Sequence, residues 1–347
     1  MKSILFWLLA VSVGQTNDKA TYQIALSVQQ KEQGGLYVVH SDGSVPRRLT
    51  KDRNDIFPLW SPDGKQIAFL SLRKQDHELA AESDLAFHWF LYVMDADGKH
   101  QRRITNTPIG TMFQWSPDGS RFLFQSSYED ASNKGKDGTE SAAIYVMNAD
   151  GTLQKRLTSI EGLDCFPAWS PDGKQIAFCS NRGGNMDIFV MNADGSGRRR
   201  LTSNDSGDMN PIWSPDGKKI AFTSYRRQHG GDVYSVEADG ADERSLANNG
   251  RPMAWSSDGN SILVEAESQI VVINTDGKHR KQLTKSSGRA LDGRFSPDGK
   301  TVFFRWKENR EWKIVTVGID GQDWKQATDL SSGLGFSLFQ IEAQTER

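Results

Sequence analysis

Trp169-Ser170-Pro171-Asp172-Gly173-Lys174-Gln175-Ile176-Ala177-Phe178 is the stretch whose reading decides the fold of this 347-residue chain. Proline sets the backbone for the first turn position and glycine accepts the positive φ that follows. The spacing predicts a three-residue hairpin loop, a type I turn with a glycine bulge. The same aromatic-Ser-Pro-Asp-Gly unit stands at Trp60, Trp115 and Trp213, and in altered form at Trp255, where Ser257 replaces proline, and at Phe295. The intervals are 55, 54, 44, 42 and 40 residues. An Asp-Gly pair keeps the same beat, ending at Gly43, Gly98, Gly151, Gly195, Gly240, Gly277 and Gly321. Two turn signals sharing one long period indicate a propeller or a solenoid array.

One unit reads as four short strands. In the fourth copy they are a (Cys165 to Ser170), b (Gln175 to Ser180), c (Asp187 to Asn192) and d (Arg199 to Thr202). Strands b and c carry unbroken apolar runs, Ile176-Ala177-Phe178 and Ile188-Phe189-Val190-Met191, so both faces of the sheet must be covered. Strand d, Arg-Arg-Leu-Thr, gives a charged outer edge that resists pairing with another chain; its basic pairs, such as Arg47-Arg48 and Arg102-Arg103, read as solvated. A four-stranded sheet buried on both faces and repeated radially is a propeller blade. Strands b and c each occur seven times. Strand a precedes the six aromatic turns, and its seventh copy falls at Gly335 to Phe339. The expected fold is therefore all-β: a seven-bladed propeller of four-stranded antiparallel blades, closed by N-terminal strands b to d with a C-terminal strand a. Six blades plus an extra terminal hairpin is the alternative count.

Bulk composition limits the function classes. A net charge of −2 and 25% charged residues provide no field that would gather nucleic acid or an anionic membrane. Residues 1–20 read as a secretory signal peptide with a short polar linker: Lys2, an apolar run from Ile4 to Val13, small residues Ser12 and Gly14, then polar Gln15 to Lys19. The alternative is a buried N-terminal element. The run is too short to span a bilayer. Residues 21–347 then form a single domain, periplasmic or secreted, with no membrane insertion after cleavage.

The stretch 169–178, followed by Asp187-Ile188-Phe189-Val190-Met191-Asn192-Ala193-Asp194-Gly195 and the Arg-Arg-Leu-Thr of 199–202, closely resembles the WD-like repeat of the TolB-type propellers over about residues 21–340. The resemblance implies a rigid, non-catalytic propeller of the bacterial envelope; TolB itself binds a peptidoglycan-associated lipoprotein. Two features depart from that pattern. TolB carries a separate domain before its propeller, whereas here the first strand follows almost directly on the leader, and its propeller has six blades against seven counted here. The same repeat also builds the propellers of prolyl oligopeptidases and dipeptidyl peptidases, and the body of oligogalacturonate lyase. The peptidase reading needs a Gly-x-Ser-x-Gly nucleophile turn, which this chain lacks.

Chain direction places the b–c and d–a loops on one face and the a–b and c–d turns on the other. The b–c loops hold 8, 20, 18, 8, 9, 4 and 8 residues, so two adjacent blades carry long insertions on the same face, where binding residues concentrate. The candidate partner-binding residues are Asp76, His77, Glu78, His88 and Trp89 in the first insertion and Tyr128, Glu129 and Asp130 in the second. The bland alternative is a tolerated insertion without a partner. The acidic and imidazole groups of the first insertion match no compact metal motif and read as a solvated cluster. Asp55, Asp164 and Asp208 each precede the aromatic residue of strand a by five positions and would ring the channel mouth. Such regular recurrence points to a structural role, a turn cap or a bond to a neighbouring blade, over ligand binding.

Cys165 and Cys179 fall opposite one another when the hairpin is counted outward from Ser170 and Lys174. They are a candidate disulfide, with two free core thiols as the alternative. No catalytic constellation and no cofactor motif stand out. The expectation is a non-enzymatic binding scaffold, monomeric or a subunit of a larger complex, with a protein or peptidoglycan-associated partner. A metal-dependent carbohydrate enzyme of lyase type, using the channel mouth, is the alternative.

Overall fold

The computed structural model describes residues 22–342 apart from 29–31, 42–43, 74–88, 128–140, 161, 228–229, 285–286, 297, 309–310 and 329–335. The predicted leader lies outside these residues. Seven four-stranded antiparallel sheets are present, and the described residues form no helix. The closing blade, blade 1, is built from Phe336–Glu342 as strand a beside Gln23–Val28, Gly35–His40 and Arg47–Arg48. The two ends of the chain thus share one ladder, pairing Gln23 with Glu342 through Val28 with Phe336, and seven blades is the correct count. The a strands of neighbouring blades touch at most of the seams and form the inner wall, while d lies outermost.

Each blade is too thin to have a core of its own, so the apolar residues meet between sheets. Leu59, Leu70 and Leu91 of blade 2 pack on Trp115, Phe124 and Tyr145 of blade 3. Cys165, Ala177 and Val190 of blade 4 pack on Trp213, Phe222 and Val236 of blade 5. This two-sided burial explains why strands b and c are apolar without alternation.

Hydrogen bonds across the seams account for the repeated sequence. The indole N–H of Trp115 donates to the Leu59 carbonyl at 3.2 Å, that of Trp213 to Ala168 at 3.1 Å and that of Trp255 to Ile212 at 3.2 Å, each acceptor in the strand a of the preceding blade. Phe295 has no such donor, and Arg294 beside it reaches the Met253 carbonyl at 3.1 Å. Replacing Trp115 by Phe removes this bond across the seam while Leu59 stays paired with Ala68 in its own ladder, and should cost about 1 kcal/mol in denaturant unfolding. The same change at Trp169, whose indole N–H has no hydrogen-bond partner, should cost clearly less.

The basic residues of strand d are not the purely solvated edge expected from sequence. Arg47 donates to the carbonyls of Ala96 and Asp97, Arg102 to Asp150, Lys155 to Asp194 and Arg199 to Ala238, in every case the c–d turn of the next blade. The threonine closing the motif caps its own blade: Thr50, Thr105, Thr158, Thr202 and Thr284 accept from the backbone N–H of the second residue of strand c.

The Ser-Pro-Asp-Gly turn closes one residue later than the spacing predicts. Ser170 N–H donates to the Gln175 carbonyl, and Gln175 N–H donates to the Ser170 hydroxyl, which takes the place of a backbone acceptor. Trp169 consequently pairs with Ile176. The aspartate accepts from the serine hydroxyl and from the backbone N–H two residues on, as Asp172 does at 2.6 and 3.1 Å. The serine hydroxyl is the largest cause holding Asp118, Asp172, Asp216 and Asp258 below the ordinary carboxylate value, with Asp118 down at about 2. A carboxyl depressed on folding contributes stability above its unfolded value of 3.8 that is lost as pH falls through the folded value. Denaturant midpoints should therefore fall between about pH 4 and pH 2, and less steeply in Asp118→Asn than in the parent.

Candidate functional site

The two insertions leave the ring on the b–c face. One joins Ser71 to Phe90, which pair across strands b and c of blade 2, and the other joins Ser126 to Ala143 in blade 3. Their roots are tied together by the d–a loop of blade 3. Ile109 N–H donates to the Trp89 carbonyl at 2.7 Å, Gly110 N–H to the Gln125 carbonyl at 2.8 Å and the Ser126 hydroxyl to the Pro108 carbonyl at 3.1 Å. The far root of the second insertion is held by blade 4: Asp164 N–H donates to the Ala142 carbonyl at 2.9 Å. The roots of the two insertions are therefore braced side by side. Trp89 belongs to those roots, half-buried against the apolar cluster between blades 2 and 3. Asp76, His77, Glu78, His88, Tyr128, Glu129 and Asp130 lie outside the described residues.

Asp55, Asp164 and Asp208 are fully buried at the start of strand a. Each meets an arginine of its own blade eighteen residues on: Asp55 with Arg73 at 3.3 Å, Asp164 with Arg182 at 2.6 Å and Asp208 with Arg226 at 3.3 Å. Asp55 also accepts from the Ser71 hydroxyl at 2.5 Å. Burial pushes the Asp55 carboxyl above its ordinary value despite Arg73. These carboxylates are closed off from solvent and tie strand a to the arginine that opens the b–c loop. These arginines recur in the chain as Ser71-Leu72-Arg73, Ser180-Asn181-Arg182 and Ser224-Tyr225-Arg226. Blades 4 and 5 add a second buried carboxylate across strand b, Asp187 with Arg200 at 2.7 Å and Asp232 with Arg227 at 3.4 Å. Among the described residues, no three His, Cys, Asp or Glu side chains converge to hold a metal ion.

Cys165 and Cys179 stand directly opposite one another, as expected, by a different route. The later turn closure shifts the register by one, and a bulge at Phe166 and Pro167, with Phe166 at φ 52°, shifts it back. Both thiols are buried and free.

The family model of the TolB beta propeller domain matches residues 138–333, more than half of the chain. The chain belongs to the TolB β-propeller family. Among curated members with similar sequence, the uncharacterized peptidase YuxL of Bacillus subtilis is 31% identical over 173 residues, 42% of this chain and 24% of that protein. The uncharacterized protein Atu1656 of Agrobacterium fabrum is 29% identical over 168 residues, 48% of this chain and 50% of that protein. These matches span half or less of those relatives. TolB of Acinetobacter baumannii superposes with a TM-score of 0.55 at 21% identity, covering 93% of this chain and 65% of that one. Oligogalacturonate lyase in complex with manganese superposes at 0.66 with 13% identity, covering 89% and 96%. At these identities the structural likeness speaks for the fold, which this TolB-family propeller shares with proteins of different activities.

Proposed function

We propose that this TolB-family propeller is a non-enzymatic scaffold of the bacterial envelope, exported across the inner membrane, that binds a protein or peptidoglycan-associated partner. Binding occurs on the b–c face, at the two neighbouring insertions. One observation carries this reading: on that face the recurrent carboxylates are consumed in holding the blades, while the d–a loop of blade 3 braces the roots of both non-repeating segments side by side. A rigid ring presenting two adjacent divergent loops suits recognition of a partner surface.

The test is capture from an envelope extract by the mature propeller and by a variant with both b–c loops cut to the eight residues seen in other blades. A partner retained by the parent and lost by the trimmed form is the expected outcome; equal recovery overturns the reading. The likeness to a manganese-bound lyase keeps one rival in view, a metal-dependent carbohydrate enzyme working at the channel mouth. Stoichiometric divalent metal in the purified protein, with turnover of a uronate oligosaccharide that a chelator abolishes, would favour that rival.

A further inference from the structure

We propose that Cys165 and Cys179 form an intramolecular disulfide when the chain folds in the presence of a disulfide oxidant, stapling the inner strand of blade 4 to strand b. The backbone sets the spacing. Leu201 N–H donates to the Ile188 carbonyl, so Ile188 faces strand d, and Cys179, its rung partner, turns its backbone polar groups toward strand a. The Cys165–Cys179 rung is thereby of the hydrogen-bonded kind, with α-carbons about 5.5 Å apart, near the centre of the range that a disulfide spans. Being directly opposite, the two side chains lie on the same face of the sheet.

The position is particular to this blade. The corresponding rungs hold Ile56 with Leu70 in blade 2 and Met209 with Thr223 in blade 5, so packing there does not require sulfur. The rung lies immediately beyond the bulge, where the ladder of the inner strand is interrupted. A covalent bond at this point would hold the strand where the backbone ladder does not.

Burial raises the Cys179 thiol, which leaves little thiolate in the folded protein, so the bond must form during folding while both groups are reachable. One thiolate attacks an external disulfide, such as oxidised glutathione, giving a mixed disulfide and releasing one thiol. The second thiolate displaces the other glutathione. Two electrons and two protons pass to the oxidant, and the protein loses two hydrogens.

The test refolds the full chain from the reduced, denatured state, once with reduced and oxidised glutathione and once with dithiothreitol. The glutathione sample should show no free thiol when denatured without reduction, a mass lower by two hydrogens, and a Cys165–Cys179 peptide that vanishes on reduction. Its unfolding constant should be smaller than that of the reduced sample by a factor on the order of one hundred, as expected for a loop of this length. Two free thiols, two glutathione adducts, or equal stability of the oxidised and reduced samples would each overturn the proposal. The comparison needs no variant, so a misfolded mutant cannot obscure it.

Discussion

Replacing Gly151 by alanine should destabilise the propeller by about 3 kcal/mol or more, combining strain at positive φ with a seam clash, whereas the same change at Gly195 should cost about 1–2 kcal/mol. Both residues close an Asp-Gly turn between strands c and d, and both sit at φ 91°. They differ in what lies ahead of them. A methyl group at Gly151 would stand 2.4 Å from the Ile104 carbonyl oxygen of the preceding blade, and at Gly195 3.1 Å from the Leu157 oxygen. The shared φ makes the backbone strain common to the two variants, so the difference isolates the clash. Ile104 N–H already donates to the Leu91 carbonyl, so the edge that must retreat is tied into its own sheet. The check is urea unfolding of the two variants beside the parent. Equal losses would mean that the seam at Gly151 opens freely and that the clash carries no cost.

Replacing Asp164 by alanine should remove about 3–5 kcal/mol, because it strands the Arg182 guanidinium in a largely buried site. The Asp164 carboxylate is fully buried and the Arg182 side chain is one-fifth exposed. With the carboxylate gone, the guanidinium retains, among the described residues, the Ser159 hydroxyl at 2.8 Å and the Ser159 carbonyl at 2.5 Å, which are neutral acceptors and leave its charge uncompensated. Removing both partners, as Asp164→Leu with Arg182→Met, should recover much of the loss, since a buried pair and a well-packed apolar substitute differ little in stability. The measurement is a double-mutant cycle by chemical denaturation. If the double variant is as unstable as the sum of the singles, the pair is not coupled through charge and the loss arises from packing alone.

Much of this architecture was legible because a repeat prints its local physics many times. The turn glycine, the aromatic residue and the apolar strands could be read at Trp169 and checked at Trp213, and the expected cross-strand neighbours Cys165 and Cys179 are neighbours. Even there the agreement hides two offsets that cancel, a later turn closure and the bulge at Phe166 and Pro167. Neither offset can be counted from the chain, because each depends on a bond or a backbone angle chosen only when the ladder forms. The basic pairs of strand d depart from the solvated edge that the sequence predicts for a related reason. Arg47 and Ala96 are 49 residues apart, and nothing local to either indicates that the next blade will bring them together. Asp55, Asp164 and Asp208 recur with a regularity that marked them as structural, yet their arginine partners emerged only once strand b had brought them back to the same end of the blade.

The sequence by itself determined the repeating unit, its four strands, the count of seven and the face on which the repeats diverge, since these rest on turn chemistry and on the period of apolar residues, both local. The tertiary structure alone decided which polar groups are spoken for. Whether an indole N–H or a strand-d arginine is free to meet a partner depends on the neighbouring blade, some forty to fifty-six residues away along the chain, while each recurrent carboxylate finds its arginine eighteen residues on, where the fold of its own blade returns it.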